Sequence, residues 1–570
     1  MSNVDPPGPR QPLEPLGVLH IPGGTITYEA ARKCEDNVII EHHRGAETHE
    51  LFNHLWVDRH NAEALAVHHV GLERGTIARI APQEHWQVGD YHICFIVEVY
   101  DTVHDNVHKV LFKCYIPSAF GEDFFPKALE EKMRIDVGSH VWMSEKCTEI
   151  RIPFMFGYGL PNGEQFTHVA QLGEEEQDKY KYNREFIPRY SPDALMSPYY
   201  PHECGNKLPT GYVVVELVDT PGTCNLADVW DQIADDQIHQ IKISHSISKL
   251  MLSIAKQPKN KIGCFIINNN CVVTLNSRPV MHTTSVFQRK KVSPTRPGDG
   301  PFTTTEEFVE KMLQIKDLGL VQQPNGCATE QECRSQMAYR VILRSLKDNF
   351  LKHDLDDGLF IPQLADLDFR HLRVDKNLNI TCLLDIESLC VLPVETFQEP
   401  HWLLGLHVQD AENTYQYSNA RRFFMDCFRQ QEFLMATETT KFLSRTPHVS
   451  LHGCMTDMWH SRGFWFMASM MSPTSMYDQA YNEMLTRFST LSFREIEEVR
   501  ASLWGDSRAV LDKMNADREA YLAQVDVIFR RAPGDTSPDA SEDVRGGTLS
   551  HVSEEALSEA LSGISMDASE

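Results

Sequence analysis

The stretch ADLDFRHLRVDKNLNITCLLDIE, Ala365 to Glu387, decides how the chain is read. Two apolar runs flank the polar turn Asp375 to Asn379, which is the pattern of a hairpin. Asp366 stands just before that hairpin and Asp385 at the end of its return strand, so strand pairing should bring the two acids together. Phosphoryl transfer needs such a pair, one carboxylate to orient and deprotonate the attacking hydroxyl and another to hold a divalent cation. The plainer alternative is that Asp366 and Asp368 solvate a loop and Asp385 caps a strand.

Working outward, residues 76–118 read as strands, with YHICFIVEVY at 91–100 and KVLFKCYI at 109–116 around a polar hairpin turn. A helix is expected over 126–145, with Pro126 near its first turn, and a further strand over 211–218. Beyond Leu226 helical periodicity dominates, at 226–256, 305–316, 328–353, 402–445 and 476–530, interrupted by hairpins at 263–275 and 372–385. The expected plan is α+β and two-lobed, a strand-rich N-terminal lobe over 46–215 and a mainly helical C-terminal lobe over 216–531. Residues 1–45 read as a Pro-containing extension. Residues 532–570 read as an acidic disordered tail, in which 554–561 could bind a protein partner.

The chain has 570 residues, with 54 Lys plus Arg against 80 Asp plus Glu and a formal net charge of -26. That field repels phosphate backbones and anionic membranes, so neither nucleic acid nor membrane is an expected partner. The N-terminal residues lack a basic and an apolar export segment, and the 14 Cys contain no C-x-x-C. The expected setting is cytoplasmic, with reduced cysteines. The histidine pairs at 42–43 and 68–69 and the His202-Glu203-Cys204 run lack zinc-site spacing. Neither a hydrolase elbow nor a P-loop motif is present.

The spacing from Asp366 through LRVD and a polar turn to CLLD resembles the catalytic and metal loops of the aminoglycoside phosphotransferase family, whose fold is protein-kinase-like. More narrowly, it resembles a group of fungal phosphotransferase-domain proteins, and the likeness continues through Pro393, Glu395 and Pro400-His401-Trp402. Segments 85–99, 157–169, 211–222 and 261–279 are similar to that group in the same order, so the resemblance spans about 80–480.

The residues and the resemblance together imply a set of roles. Lys113 shares a strand face with Leu111 and Tyr115, where an ammonium needs an anionic partner such as an ATP phosphate, unless it snorkels to solvent. The resemblance makes Asp136 the acid that fixes Lys113, with Glu130 and Glu131 as fallbacks, and makes Gly89 the phosphate-facing glycine. Glu216 and Val218 would line the adenine-binding hinge. It casts Asp366 as the catalytic acid and Asp385 as the Mg²⁺ ligand. His371 stands where the family carries a metal-binding Asn, which weakens one metal position unless Asp368 supplies an oxygen. The implied function is ATP- and Mg²⁺-dependent phosphorylation of a hydroxyl on a small molecule. The alternative is a pseudokinase-like nucleotide-binding or scaffold protein with a degraded metal site.

Overall fold

The computed structural model describes residues 18–529 apart from 35, 73–75, 102, 191–193, 293–298, 405–413, 440–449, 474–475, 489 and 491–492. The acidic tail and its 554–561 segment lie outside the described residues. The chain begins with a hairpin, β1 (Val18–Ile21) and β2 (Gly24–Thr27), followed by helices α1 (Tyr28–Lys33), α2 (Val38–Val57) and α3 (Arg59–Val70). Next come β3 (Ile77–Ile80), β4 (Gln87–Val88), β5 (His92–Asp101), β6 (Asn106–Tyr115) and α4 (Ala128–Lys146). After these follow β7 (Met155–Gly159), β8 (Gln165–His168), α5 (Glu174–Tyr190), β9 (Leu195–Met196), β10 (Tyr199–Pro201) and β11 (Tyr212–Glu216). Seven of these strands form one antiparallel path, β10-β8-β7-β11-β6-β5-β3, with β4 paired to β5.

Alternation along β5 and β6 gives this sheet two different faces. Ile93, Phe95, Val97 and Val99 with Val110, Phe112 and Cys114 are buried on one face. There α3 packs on β3 and β5, and Trp86 stacks on Phe95 at 4.3 Å. The other face carries Lys113 and Tyr115 toward α4, whose Asp136 receives the Tyr115 hydroxyl.

The C-terminal region is mainly helical. It comprises β12 (Thr223–Asn225), α6 (Leu226–Ile233), α7 (Gln237–Ala255), β13 (Cys264–Ile267), β14 (Val272–Ser277), α8 (His282–Arg289), α9 (Thr305–Gln322) and α10 (Glu330–Phe350). Four short strands, β15 (Phe360–Leu364), β16 (Leu372–Asp375), β17 (Ile380–Leu383) and β18 (Leu389–Pro393), precede α11 (Thr414–Thr439), α12 (Leu451–Ser461), α13 (Gly463–Met471), α14 (Phe493–Ser502) and α15 (Ser507–Ile528). The small sheets run β12-β16-β17, β13-β14-β9 and β15-β18. The architecture is therefore mixed α+β, strand-rich first and helical later. Among the described residues no helix is long and apolar enough to cross a membrane.

Three differences from the sequence reading have local causes. The helix expected over 226–256 breaks before α7, because the Asp236 side chain accepts the Ile238 and His239 N–H groups as an N-cap. The segment expected over 476–530 is divided into a run of short helical turns over 477–487 followed by α14 and α15. Residues 18–34 and 36–45, read as part of an extension, are folded. Their helix α1 docks on α15, where Tyr28 donates to Asp526 at 2.6 Å and Tyr521 donates to the Ala31 carbonyl at 2.7 Å. The next helix, α2, then runs straight through the expected boundary at residue 46.

The sheet and the helical region join where α4 meets β13. A Cβ at Gly138 would stand 2.5 Å from the Phe265 carbonyl oxygen, so the helix approaches the strand at a distance only glycine permits. Trp142 stacks on Phe265 one turn later, at 4.7 Å. Arg278, 1% exposed, closes the joint with a two-pronged pair to Glu131, at 3.1 and 2.6 Å. Arg278→Met strands a buried carboxylate and should cost about 3–5 kcal/mol in chemical denaturation, and adding Glu131→Met should recover part of that loss. A double variant as unstable as the sum of the singles would contradict this account.

Candidate active site

Two ladders build the site from the segment that opens the sequence reading. Leu364 on β15 pairs with Leu389 on β18, and the Ala365 N–H donates to the Ser388 carbonyl at 3.0 Å, so Asp366 and Glu387 leave the same end of one ladder. Leu372 on β16 pairs with Leu383 on β17, and the Leu384 N–H donates to the His371 carbonyl at 2.8 Å, which delivers Asp385 beside His371. The intervening turn forms as its composition predicts, with the Asp375 carboxylate accepting the Asn377 and Asn379 N–H groups.

Lys113 reaches this point from the middle of the large sheet, where β6 lies between β5 and β11. Its ammonium bonds Glu387 Oε1 and stands 4.0 Å from Asp385 Oδ2. The Glu387 N–H donates to Asp385 Oδ1 at 2.8 Å, so the two acids are tied to each other as well as to the lysine. His371 Nε2 lies 4.0 Å from Asp385 Oδ2. Burial works against charge on Asp385, but Lys113, His371 and the Glu387 N–H outweigh it and hold the carboxyl well below the usual range. Burial likewise opposes the Lys113 ammonium, and Glu387 and Asp385 reverse the sign and raise its pKa.

Asp136 is not the partner of Lys113. Its carboxylate receives Lys132 Nζ at 2.5 Å and the Tyr115 hydroxyl at 2.8 Å, and burial pushes its pKa up against the pull of Lys132. The fallbacks are also engaged elsewhere, Glu130 with Arg134 at 2.8 Å and Glu131 with Arg278. Lys132 also donates to the Glu387 carbonyl at 2.7 Å, so α4 meets the Asp385–Glu387 loop through a cation.

Asp366 is exposed in the turn after β15, near enough to the Tyr91 phenol to contribute to its raised pKa, which burial dominates. Trp402 donates its indole N–H to the Leu367 carbonyl at 2.7 Å. It forms a wall with Trp230 and Phe369, whose ring centroids lie 5.1 and 5.4 Å from its own. Asp368 caps the short turn at 369–371 and pairs with Arg370 at 2.8 Å, both through Oδ1. Among the described residues no set of three or more His, Cys, Asp or Glu side chains could hold a metal by itself, so Asp385, His371 and Asp368 do not form the expected trio. The aromatics Phe424, Phe464 and Trp465 are buried and belong to the core.

Gly89 sits in the tight turn between β4 and β5, where its N–H donates to the His92 carbonyl at 2.8 Å. A Cβ there would meet only that oxygen, at 3.7 Å, so packing does not demand glycine. At the end of β11, the Glu216 N–H donates to the Phe154 carbonyl at 2.7 Å, and its carboxylate binds Arg151 at 2.6 Å; Val218 is buried. Of the two hinge residues expected, Glu216 thus already has its N–H committed.

Sequence reading missed Glu387, Lys132, Tyr115 and His92. Glu387 had a signal, because it alternates with Asp385 around the buried Ile386 and must share its side. Lys132 and Asp136 are four residues apart on an otherwise apolar face of α4, which is a helix ion-pair spacing. His92 and Tyr91 are the two orphans of the site. Among the described residues the Tyr91 hydroxyl and His92 Nε2, both buried, find no hydrogen-bond partner, and His92 Nε2 is 3.6 Å from Glu387 Oε2. No protein-family model matches the chain, and no curated protein matches it in sequence.

Burial lowers the His92 pKa to about 4, with Glu387 opposing. The unfolded chain therefore takes up this proton near pH 6.5 while the folded chain does not. The stability contribution is intact above that pH and falls by up to about 1.4 kcal/mol per unit as pH drops toward 4. His140 and His168, lowered by burial to about 4, add in the same direction. Denaturation of His92→Gln from pH 7 to 4.5 should show a shallower loss than the parent, and equal slopes would contradict the assignment.

Proposed function

We propose that the chain is an ATP- and Mg²⁺-dependent phosphotransferase of the two-lobed, protein-kinase-like aminoglycoside phosphotransferase type, acting on a hydroxyl of a small molecule. The observation that carries this reading is the convergence of Lys113 from the sheet with Asp385 and Glu387, on the loop whose ladder also delivers Asp366. An ionised carboxylate held beside an ammonium suits a nucleotide site, because a phosphate can share the ammonium while the carboxylate takes the cation.

Asp385 fits Mg²⁺, since its neighbours keep it ionised. His371 offers nitrogen where the ion prefers oxygen, and one oxygen of Asp368, Oδ1, is taken by Arg370. When bound, Mg²⁺ neutralises charge on the phosphates. The chain's own residues divide the remaining work. Lys113 binds phosphate oxygens and Glu387 keeps the ammonium in place. Asp366 accepts the acceptor's proton, and the Trp230–Phe369–Trp402 wall borders its turn. A small-molecule acceptor in a cytoplasmic setting, with neither nucleic acid nor membrane as partner, is the context this reading carries.

One observation favours the second reading, a nucleotide-binding or scaffold protein without transfer. Lys113 is already matched by two carboxylates, and the helix acid expected to hold it, Asp136, is taken by Lys132. Thermal-shift titration with ATP, alone and with Mg²⁺ or Mn²⁺, separates the two. Phosphotransferase chemistry predicts a metal-dependent rise in Tm that disappears in Asp385→Ala and grows in His371→Asn. An ATP shift that ignores metal and survives Asp385→Ala would favour the scaffold, and no shift in any condition would sink both nucleotide readings.

A further inference from the structure

Behind the Asp385–Glu387 loop, β13 and β18 touch at a single antiparallel bridge. Gly263 and Val391 exchange both backbone hydrogen bonds, at 3.0 and 2.8 Å. The next residues along, Cys264 and Cys390, therefore face each other as a non-hydrogen-bonded pair, the closest approach two antiparallel residues make, with Cα atoms about 4.5 Å apart. That separation falls within the usual range for a disulfide. The side chains agree with the backbone, since the two Sγ atoms are 3.2 Å apart and both residues are 0% exposed.

The surroundings give the two sulfurs different roles. Cys264 Sγ accepts the Val280 N–H at 3.3 Å; each thiol also faces a carbonyl, Leu389 at 3.7 Å for Cys264 and Val280 at 3.6 Å for Cys390, and either sulfur can donate to the other. Burial disfavours a thiolate at either sulfur, yet these donors bring the Cys264 pKa below its ordinary value, while the hydrogen bond to Cys264 and burial drive Cys390 well up. The Val280 N–H on its sulfur makes Cys264 the nucleophile and leaves Cys390 as the resolving thiol.

We propose that Cys264 and Cys390 form a redox modification site, a cross-strand dithiol that hydrogen peroxide converts to a disulfide. The Cys264 thiolate attacks one peroxide oxygen, the O–O bond breaks, and the departing hydroxide takes a proton to become water, leaving Cys264 as sulfenic acid. Cys390 sulfur then attacks the Cys264 sulfur, the S–O bond breaks, and the thiol proton leaves with the hydroxide as a second water. Two thiols and one peroxide become one disulfide and two waters. The pair is sealed from solvent, so the oxidant has to be nearly as small as water, and glutathione disulfide is too large to reach it. The consequence rests on the phosphotransferase reading. Cys390 lies three residues after Glu387, and drawing the sulfurs to about 2.05 Å pulls β18 and the start of its loop toward β13, so oxidation alters nucleotide binding.

The test uses the reduced full-length chain, exposed to hydrogen peroxide or to glutathione disulfide, blocked with N-ethylmaleimide, digested, and mapped by mass spectrometry without reductant. The proposal expects a peptide crosslinked through Cys264 and Cys390 after peroxide but not after glutathione disulfide, which a phosphine reductant removes. In Cys390→Ser, dimedone added together with denaturant once the peroxide has been removed should trap sulfenic acid at Cys264; should that variant fail to fold, the parent map decides alone. Cys264 and Cys390 both remaining free thiols, at a peroxide dose that oxidises the half-buried Cys34 and Cys204, would overturn it. The Cys327 and Cys333 pair, packed in a separate cluster, is resolved in the same map. A changed Mg²⁺–ATP thermal shift in the oxidised chain supports the regulatory consequence. Absence of any ATP shift in the reduced chain defeats the phosphotransferase reading and leaves the disulfide result standing.

Discussion

A largely buried ammonium must find a counter-charge, and Lys113 sets that requirement in the middle of an antiparallel sheet. Its own sheet neighbours provide none. The charge comes from Glu387 and Asp385, and the Lys113–Glu387 contact closes a sequence separation of 274 residues. Much of the arrangement follows from this contact. The Asp385–Glu387 loop has to reach the sheet, so β15–β18 and β16–β17 have to end there, and that brings Asp366 and His371 to the same place. Lys132 adds a second grip on the loop from α4, and the Gly138 approach with the Arg278–Glu131 pair fixes α4 against β13.

The polarity of this arrangement is unusual for the chemistry proposed. A kinase-type site pairs the strand lysine with a carboxylate on the neighbouring helix. Here the helix contributes Lys132, which pairs with Asp136 while Tyr115 donates to the same carboxylate, and the carboxylate for Lys113 comes from the Asp385–Glu387 loop itself. The acid that positions the lysine and the acid proposed for the metal are thereby two residues apart on one loop. A displacement of that loop moves both together, which is why a covalent bond at Cys390 would register at the site.

Much of the fold was legible because its signals are local. Strand-like apolar runs marked β5, β6 and β11, the Asn268–Asn270 and Asp375–Asn379 turns marked two hairpins, and Pro126 with the apolar spacing after it marked α4 within two residues. What escaped depends on tertiary pairing. Nothing local says that residues 18–34 and 36–45 fold, since their partner is α15 at the far end of the chain. The pairing of Asp136 with Lys132 was written in an i,i+4 spacing, and the resemblance to a family that pairs this helix with Lys113 obscured it. The role of Glu387 was half visible in its alternation with Asp385, but choosing it over Asp136 required knowing which side of the sheet the loop approaches.

The central claim is that Lys113 and Glu387 hold the strand-rich region to the loop through a mutual interaction, and a double-mutant cycle measures this directly. Lys113→Met, Glu387→Gln and the double variant would be unfolded in denaturant at neutral pH. Mutual dependence predicts that the double variant is more stable than the sum of the single losses implies, by about 1–3 kcal/mol. Losses that add to within about 0.5 kcal/mol would contradict the claim and remove the contact on which this account of the site is built.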